Sequence, residues 1–159
     1  MEKMLRLLEN DATLTERELS VLLSKEEGEI KDMLAKLRAD GTILGTRTIV
    51  DWDKTDREYV DALIEVKVLP QRDDGFDKIA EKISAYPEIK GVYLMSGGYD
   101  FTVLLEGKTM REVAFFVARK LATMDSVTST ATHFVLKTYK DKGVIYKTPE
   151  RDKREQLMI

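Results

Sequence analysis

The sequence predicts an α+β protein, a helical first third followed by a βαββαβ arrangement. Three observations carry the prediction. Apolar residues recur with a helical period as far as Leu37. They alternate with a period of two from Val60 to Val68. Beyond Pro70, helical and strand patterns then follow one another between glycine and proline stops.

In the first third, Met4, Leu5, Leu7 and Leu8 mark a short amphipathic helix ending near Asn10-Asp11. Thr15-Glu16-Arg17-Glu18 matches a capping box, in which the Thr hydroxyl and the Glu carboxylate each satisfy a backbone N–H at a helix start. Leu19, Leu22 and Leu23 follow on one face. Ser24-Lys25-Glu26-Glu27 reads as a second capping box. Behind it Ile30, Met33, Leu34 and Leu37 sit at i, i+3, i+4 and i+7, a helix with one buried stripe. Gly41 suits a left-handed helix stop. Three short helices, the last two joined by a tight turn, make a helix-turn-helix pattern. A generic three-helix bundle is the alternative that periodicity leaves open. Residues 42–51 are β-branched and predict a strand, which would give the unit a winged-helix-like character. The polar run Asp53 to Glu58 predicts a solvated hinge, dividing the chain into 1–54 and 55–146.

The second part changes type repeatedly. Val60, Ala62, Ile64, Val66 and Val68 predict a strand closed by Pro70. Phe76, Ile79, Ala80 and Ile83 predict a helix stopped by Pro87. Val92 to Met95 and Phe101 to Leu105 predict two strands joined through Ser96-Gly97-Gly98-Tyr99-Asp100. Thr109 to Glu112 reads as a third capping box, with Val113, Phe116, Val117 and Leu121 behind it. Val127 to Tyr139 predicts the last strand. This order is that of a ferredoxin-like domain, with helices on one face of an antiparallel sheet. The other face also reads as apolar, and a second copy of the chain is the expected cover. Residues 147–159 read as a charged, patternless tail.

Composition narrows the function. The chain has 159 residues, 43% hydrophobic and 35% charged, and no stretch near the ~20 apolar residues of a spanning helix. There are no cysteines, so neither disulfides nor thiolate metal sites are expected. No secretory signal is read at the N-terminus, and a cytoplasmic location is expected. No cofactor is called for: there is no phosphate loop, nucleophile elbow or metal-ligand spacing. His133, the only histidine, alternates in phase with Ala131 and Val135 as a sheet residue would. An enzyme is therefore not expected.

These residues resemble a known family. Leu7-Leu8-x2-Asp11-Ala12, Glu18-Leu19, Ser24, Ile30, Leu34, Leu37 and Asp40-Gly41-x-Ile43-x-Gly45 resemble the N-terminal domain of the leucine-responsive/asparagine (Lrp/AsnC) transcriptional regulators. Gly97-x-Tyr99-Asp100 between two strands, and Thr130-x-Thr132 in the last, resemble that family's effector domain. The match runs to about Tyr146. The resemblance implies a sequence-specific transcriptional regulator of double-stranded DNA. It implies a homodimer through the βαββαβ domains, in some members assembled into an octameric ring. Small effectors, usually amino acids, are implied where dimers meet. Sirohaem decarboxylases resemble the same two-domain family, but their chemistry relies on several histidines where this chain has one.

Charge speaks against nucleic acid. Residues 1–54 hold 9 Lys/Arg against 12 Asp/Glu and so carry the whole net charge of −3. Glu26, Glu27, Glu29 and Asp32 fall in the expected recognition helix, where phosphates favour Lys and Arg. At ~100° per residue, however, the face opposite the buried stripe centres on Lys25, Gly28, Asp32, Ala35 and Ala39, with Lys31 and Lys36 on its flanks. Glu26 and Glu27 fall toward the buried side. The expected DNA surface is therefore Lys25, Gly28, Lys31, Asp32 and Lys36, with Arg47 as a further phosphate contact. Asp32 could accept from a cytosine amino group or be simply solvated. A ligand sensor that has lost DNA contact stays open as the alternative.

The loop Ser96 to Asp100 is the candidate effector site. Gly97 and Gly98 let backbone N–H groups approach a carboxylate. Asp100 could pair with an ammonium, and Tyr99 could cover an apolar side chain. Thr130 and Thr132 share a strand face nearby. A hairpin turn capped by Asp100 is the competing reading of the same residues.

Overall fold

The computed structural model describes residues 1–70 and 75–146, and the chain divides into two compact units between Val50 and Asp51. The first unit holds α1 (Glu2–Asn10), α2 (Glu16–Leu23) and α3 (Glu27–Ala39). Met4, Leu19, Ile30, Leu34 and Leu37 are buried together, with Leu7, Leu8, Leu14, Leu23 and Met33 packed around them. The predicted stripe of α3 is thus its packed face.

The first capping box forms in full. The Thr15 hydroxyl accepts from the Glu18 N–H, and the Glu18 carboxylate accepts from the Thr15 N–H at 2.8 Å. The backbone N–H first, and the hydroxyl second, hold the Glu18 carboxyl below its ordinary range. Thr15→Ala is expected to destabilise the first unit by about 1 kcal/mol, read as a lower midpoint of helical circular dichroism on heating.

The second capping box does not form. Ser24 closes α2 instead, at φ +53°, with its N–H donating to the Ser20 and Val21 carbonyls. A residue spent on a left-handed C-terminal stop cannot cap a helix beginning three residues later. Glu26 takes the N-cap position of α3 without a side-chain hydrogen bond. The turn is Ser24 to Glu26, and Lys25 lies in it rather than in the helix. Gly41 ends α3 at φ +75°, as its lack of a Cβ allows. The Ile43 N–H then reaches the Leu37 carbonyl at 2.8 Å and lays Ile43 on the core.

The strand expected over 42–51 is also corrected. Through Val50 the segment has no ladder partner among the described residues, and Leu44 is 94% exposed. β-branched residues favour an extended backbone, but a strand needs a neighbour to bond.

The second unit is the predicted βαββαβ: β1 (Val60–Val68), α4 (Phe76–Ser84), β2 (Ile89–Leu94), β3 (Phe101–Gly107), α5 (Met110–Phe116) and β4 (Val127–Phe134). A π-helical turn, Val117–Leu121, extends α5. The sheet order is β2-β3-β1-β4, antiparallel throughout. Ala62, Ile64 and Val66 face Leu105, Val103 and Phe101 across the ladder, and all six are buried with Ile79, Ile83, Val113 and Leu121 of the helices. The box at Thr109 forms in modified shape: the hydroxyl accepts from the Glu112 N–H, while the Glu112 carboxylate takes the Lys108 N–H.

The last strand is shorter than expected. Pairing stops at Phe134, opposite Ala62 and two residues short of the start of β1, and Val135 N–H to Asp61 O, 2.9 Å, is the last link. Lys140–Asp141 (β5) and Val144–Ile145 (β6) form a separate hairpin whose turn places Lys142 and Gly143 at φ +46° and +84°, the two positive values that a tight hairpin turn requires. Residues 147–159, expected to be a tail, lie outside the described residues.

The opposite sheet face is mixed rather than apolar. Leu63 faces Leu104 and His133, while Glu65 faces Thr102 and Ala131. His133 Nε2 stands 3.3 Å from Glu65 Oε1. Among the described residues no helix is long and apolar enough to cross a membrane.

Candidate functional site

The residues expected to face DNA lie outside the packed stripe of α3. Lys25, Gly28, Lys31, Asp32 and Lys36 are all exposed, as is Arg47 in the extended segment. A Cβ built on Gly28 meets nothing within 4 Å, so this position leaves room for close approach from outside. Two details differ from expectation. Glu26 and Glu27 are exposed, not turned inward, because α3 begins only at Glu27 and its first turn precedes the buried stripe. Lys25 is paired with Glu29, so its charge is already partly answered. The arc therefore presents Lys31 and Lys36 beside Asp32, with Lys25 available only when Glu29 releases it.

The β2–β3 connection is anchored by Asp100. Its N–H donates to the Val66 carbonyl at 3.1 Å, and its Oδ2 accepts from the Val68 N–H at 2.8 Å. Its own carbonyl accepts from the Met95 N–H at 2.8 Å. Asp100 thus ties β2, β3 and the end of β1 together, a cross-strand anchor rather than the cap of its own hairpin turn that the competing reading expected. A carboxylate keeps a second oxygen able to accept. Tyr99 is half-buried, its hydroxyl accepting from Thr102 Oγ1 at 3.2 Å.

Gly97 and Gly98 are exposed, neither takes a positive φ, and a Cβ on either meets nothing within 4 Å among the described residues. The packing of the described residues does not require glycine at these positions. Thr130 and Thr132 pair with Val66 and Ile64, on the helix side of the sheet, and are half-buried. Asp100 and Thr130 flank Val66 at the same sheet end, with β1 between them. Their backbones stand two strand spacings apart, about 9–10 Å. Thr128 turns back to the Lys67 carbonyl at 3.1 Å.

With this geometry in place, the chain can be set beside known proteins. The Lrp/AsnC ligand binding domain matches residues 61–145. The chain belongs to the Lrp/AsnC family. YugG, an HTH-type transcriptional regulator of Bacillus subtilis, is 47% identical over 127 residues, spanning 79% of this chain and 76% of that protein. An HTH-type regulator of Pyrococcus horikoshii is 31% identical over 140 residues, 88% of this chain and 89% of its own. A Neisseria meningitidis transcriptional regulator, solved as an L-Met complex, shares the fold with a TM-score of 0.69 at 22% identity, covering 87% and 89% of the two chains. As an Lrp/AsnC member, the protein is a ligand-responsive transcription regulator with a helix-turn-helix in its first unit and the ligand-binding domain in its second.

The far end of the sheet holds residues that sequence reading passed over. Arg57 stacks over the Trp52 ring at 4.2 Å and bonds Glu106 at 2.5 Å. The Tyr59 hydroxyl donates to Asp53 Oδ1 at 3.1 Å. Burial first, and that bond and nearby carboxylates after it, push the Tyr59 phenol up to about 12. The segment expected to be a solvated hinge, Asp53 to Glu58, is exposed throughout but is held at Asp53 and Arg57. Between Tyr59, Met110 and Lys137 lies a cleft of about 250 Å³ that Asp61 also lines. Asp61 shares the polar phase of β1 with Glu65 and Lys67, so the alternation itself did not single it out.

Proposed function

We propose that the protein acts in the cytoplasm as a dimeric Lrp/AsnC regulator that grips double-stranded DNA with the outward arc of α3. Lys31 and Lys36, joined by Lys25 and Arg47, neutralise phosphates, and Gly28 permits close approach of the backbone. Asp32 meets a base edge or remains hydrated. Paired heads on a dimer offset a weak single contact through effective concentration. The output is control of transcription rather than catalysis.

The effector in this reading is an amino acid taken at Gly97, Gly98, Tyr99 and Asp100, with Thr130 at the same sheet end and Thr132 two residues further along β4, opposite Ile64. The observation that carries it is the pair of glycines that the packing of the described residues does not need. Exposed N–H groups there suit a carboxylate, and the second Asp100 oxygen suits an ammonium. The L-Met bound by the Neisseria protein favours the same ligand class.

Thermal shift against the twenty amino acids tests the reading, because a ligand that binds only the folded state raises its melting point. At least one amino acid is expected to do so, and Gly97→Val is expected to abolish the shift without lowering the unliganded midpoint. Asp100→Asn separates charge from anchoring, since its side-chain oxygen can still accept from Val68. A full shift in both variants would place the effector elsewhere.

A further inference from the structure

We infer that the cleft between Tyr59, Asp61, Met110 and Lys137 is a second small-molecule site, for a primary amine with a short apolar body. It lies at the opposite end of the sheet from the Ser96–Asp100 loop, since β1 begins at Val60 and meets that loop at Val66 and Val68. The inference is independent of the effector reading.

Three features define the ligand. The first is a carboxylate that no cation among the described residues pairs with directly. Asp61 is half-buried, and the neighbouring Arg57 is committed to Glu106 and to the face of Trp52. Asp53 also lines the cleft, but it is exposed and accepts the Tyr59 hydroxyl on one oxygen. Asp61, the more buried of the two acids, is the one that gains most from a cation. The second is an apolar wall, Met110, Val135 and Leu136, of which Leu136 is 89% exposed. The third is size. A cleft of about 250 Å³ falls below the range that holds drug-sized molecules and suits a compact metabolite.

Among the described residues the lining carries Asp53 and Asp61 against Lys137 alone, a net negative set that favours a cation over a free carboxylate. Lys137, on the lining and 5.0 Å from the Tyr139 ring, would tolerate an added carboxylate without requiring one.

The carboxyl itself responds to this setting. Desolvation first, and then the Glu106 charge across the ladder, raise the Asp61 pKa above its ordinary 3.8, with Asp141 and Asp53 adding to this and Arg57 opposing it. A carboxyl whose folded pKa is raised favours folding below its ordinary value, and that contribution is lost as pH rises through the folded value. At neutral pH the ionised Asp61 therefore costs stability, and an ammonium partner relieves that cost. Asp61→Asn should raise the melting point of the unliganded protein at pH 7 and leave it nearly unchanged in acid.

The test is isothermal titration of the full chain with 3-methylbutylamine, phenethylamine, L-leucine and 4-methylpentanoate at millimolar concentration. At least one amine is expected to bind, and 4-methylpentanoate is not. Asp61→Asn should weaken amine binding by about tenfold or more, while Asp100→Asn leaves it intact. Lowering the pH through the Asp61 titration should weaken it as well. L-leucine binding that survives Asp61→Asn but is lost in Gly97→Val belongs to the loop and does not count for the cleft. Amines that bind Asp61→Asn equally well, or no amine binding at all, overturn the proposal.

Discussion

Replacing Lys25, Lys31 and Lys36 together by alanine is expected to lower affinity for duplex DNA by at least about tenfold per head, and by a similar factor on every sequence. Phosphate contacts position a protein without reading bases, so their loss weakens specific and non-specific binding alike. The salt dependence should flatten by about 0.9 in log–log slope for each contact removed. Fluorescence anisotropy at low and moderate salt measures both quantities. The three positions are exposed and outside the packed stripe of Ile30, Leu34 and Leu37, so the fold should survive. The single changes should not be equal. Lys25 is held by Glu29, whereas Lys31 and Lys36 stand on the exposed arc, so Lys31→Ala and Lys36→Ala should each cost more than Lys25→Ala. Unchanged affinity in the triple variant would move the DNA surface off α3. It would also favour a sensor that has given up DNA, the reading that the acidic first unit first suggested.

How far the sequence could be read depended on whether a signal was local. The alternation of β1 placed both of its ends at Val60 and Val68, because a strand buried on one face writes its period directly into the residue order. The stripe of α3 was equally plain, and so was Gly41. The failures share a cause in competition between segments. Ser24 satisfies the pattern of an N-cap, but α2 ends on it first. Residues 42–51 have strand residues but, through Val50, no described neighbour to bond. β4 has strand residues as far as Tyr139, yet its ladder stops at Phe134, opposite Ala62 near the start of β1.

The sites show the same division. Ser96 to Asp100 stood out because two glycines and an acid are contiguous, and Asp100 proved to have a structural role that the motif alone could not reveal. The cleft at Asp61 is drawn from three separate stretches, around residues 53–61, 110 and 135–138. No spacing rule brings such stretches together. They meet because Val60 of β1 faces Gly107, just before α5, and Ala62 faces Phe134 of β4.

Phe101→Ala should have the largest effect on stability, a loss of about 3–5 kcal/mol from the second unit. Phe101 is 1% exposed, lies at the start of β3, pairs with Val66 and Leu94, and meets Phe76 edge-on at 5.9 Å between ring centres. Truncation removes the ring contact and leaves a cavity on the helix side of the sheet, where helices and strands hold their spacing and cannot close it. A domain has only about 5–15 kcal/mol in reserve, so the loss is a large share of the total. Trp52, the single tryptophan, lies in the second unit and makes its fluorescence a specific probe there. In urea its transition should shift to markedly lower denaturant, and Ile64→Val, a smaller deletion in the same core, should cost about 0.5–1.5 kcal/mol. Phe101 is also the residue that follows Asp100. Below the variant's transition, therefore, amino-acid binding at the loop should weaken along with stability, whereas Ile64→Val should keep it. An unmoved Trp52 transition in Phe101→Ala would mean that the sheet-helix core does not govern this unit's folding, and the anchoring assigned to Asp100 would lose its foundation.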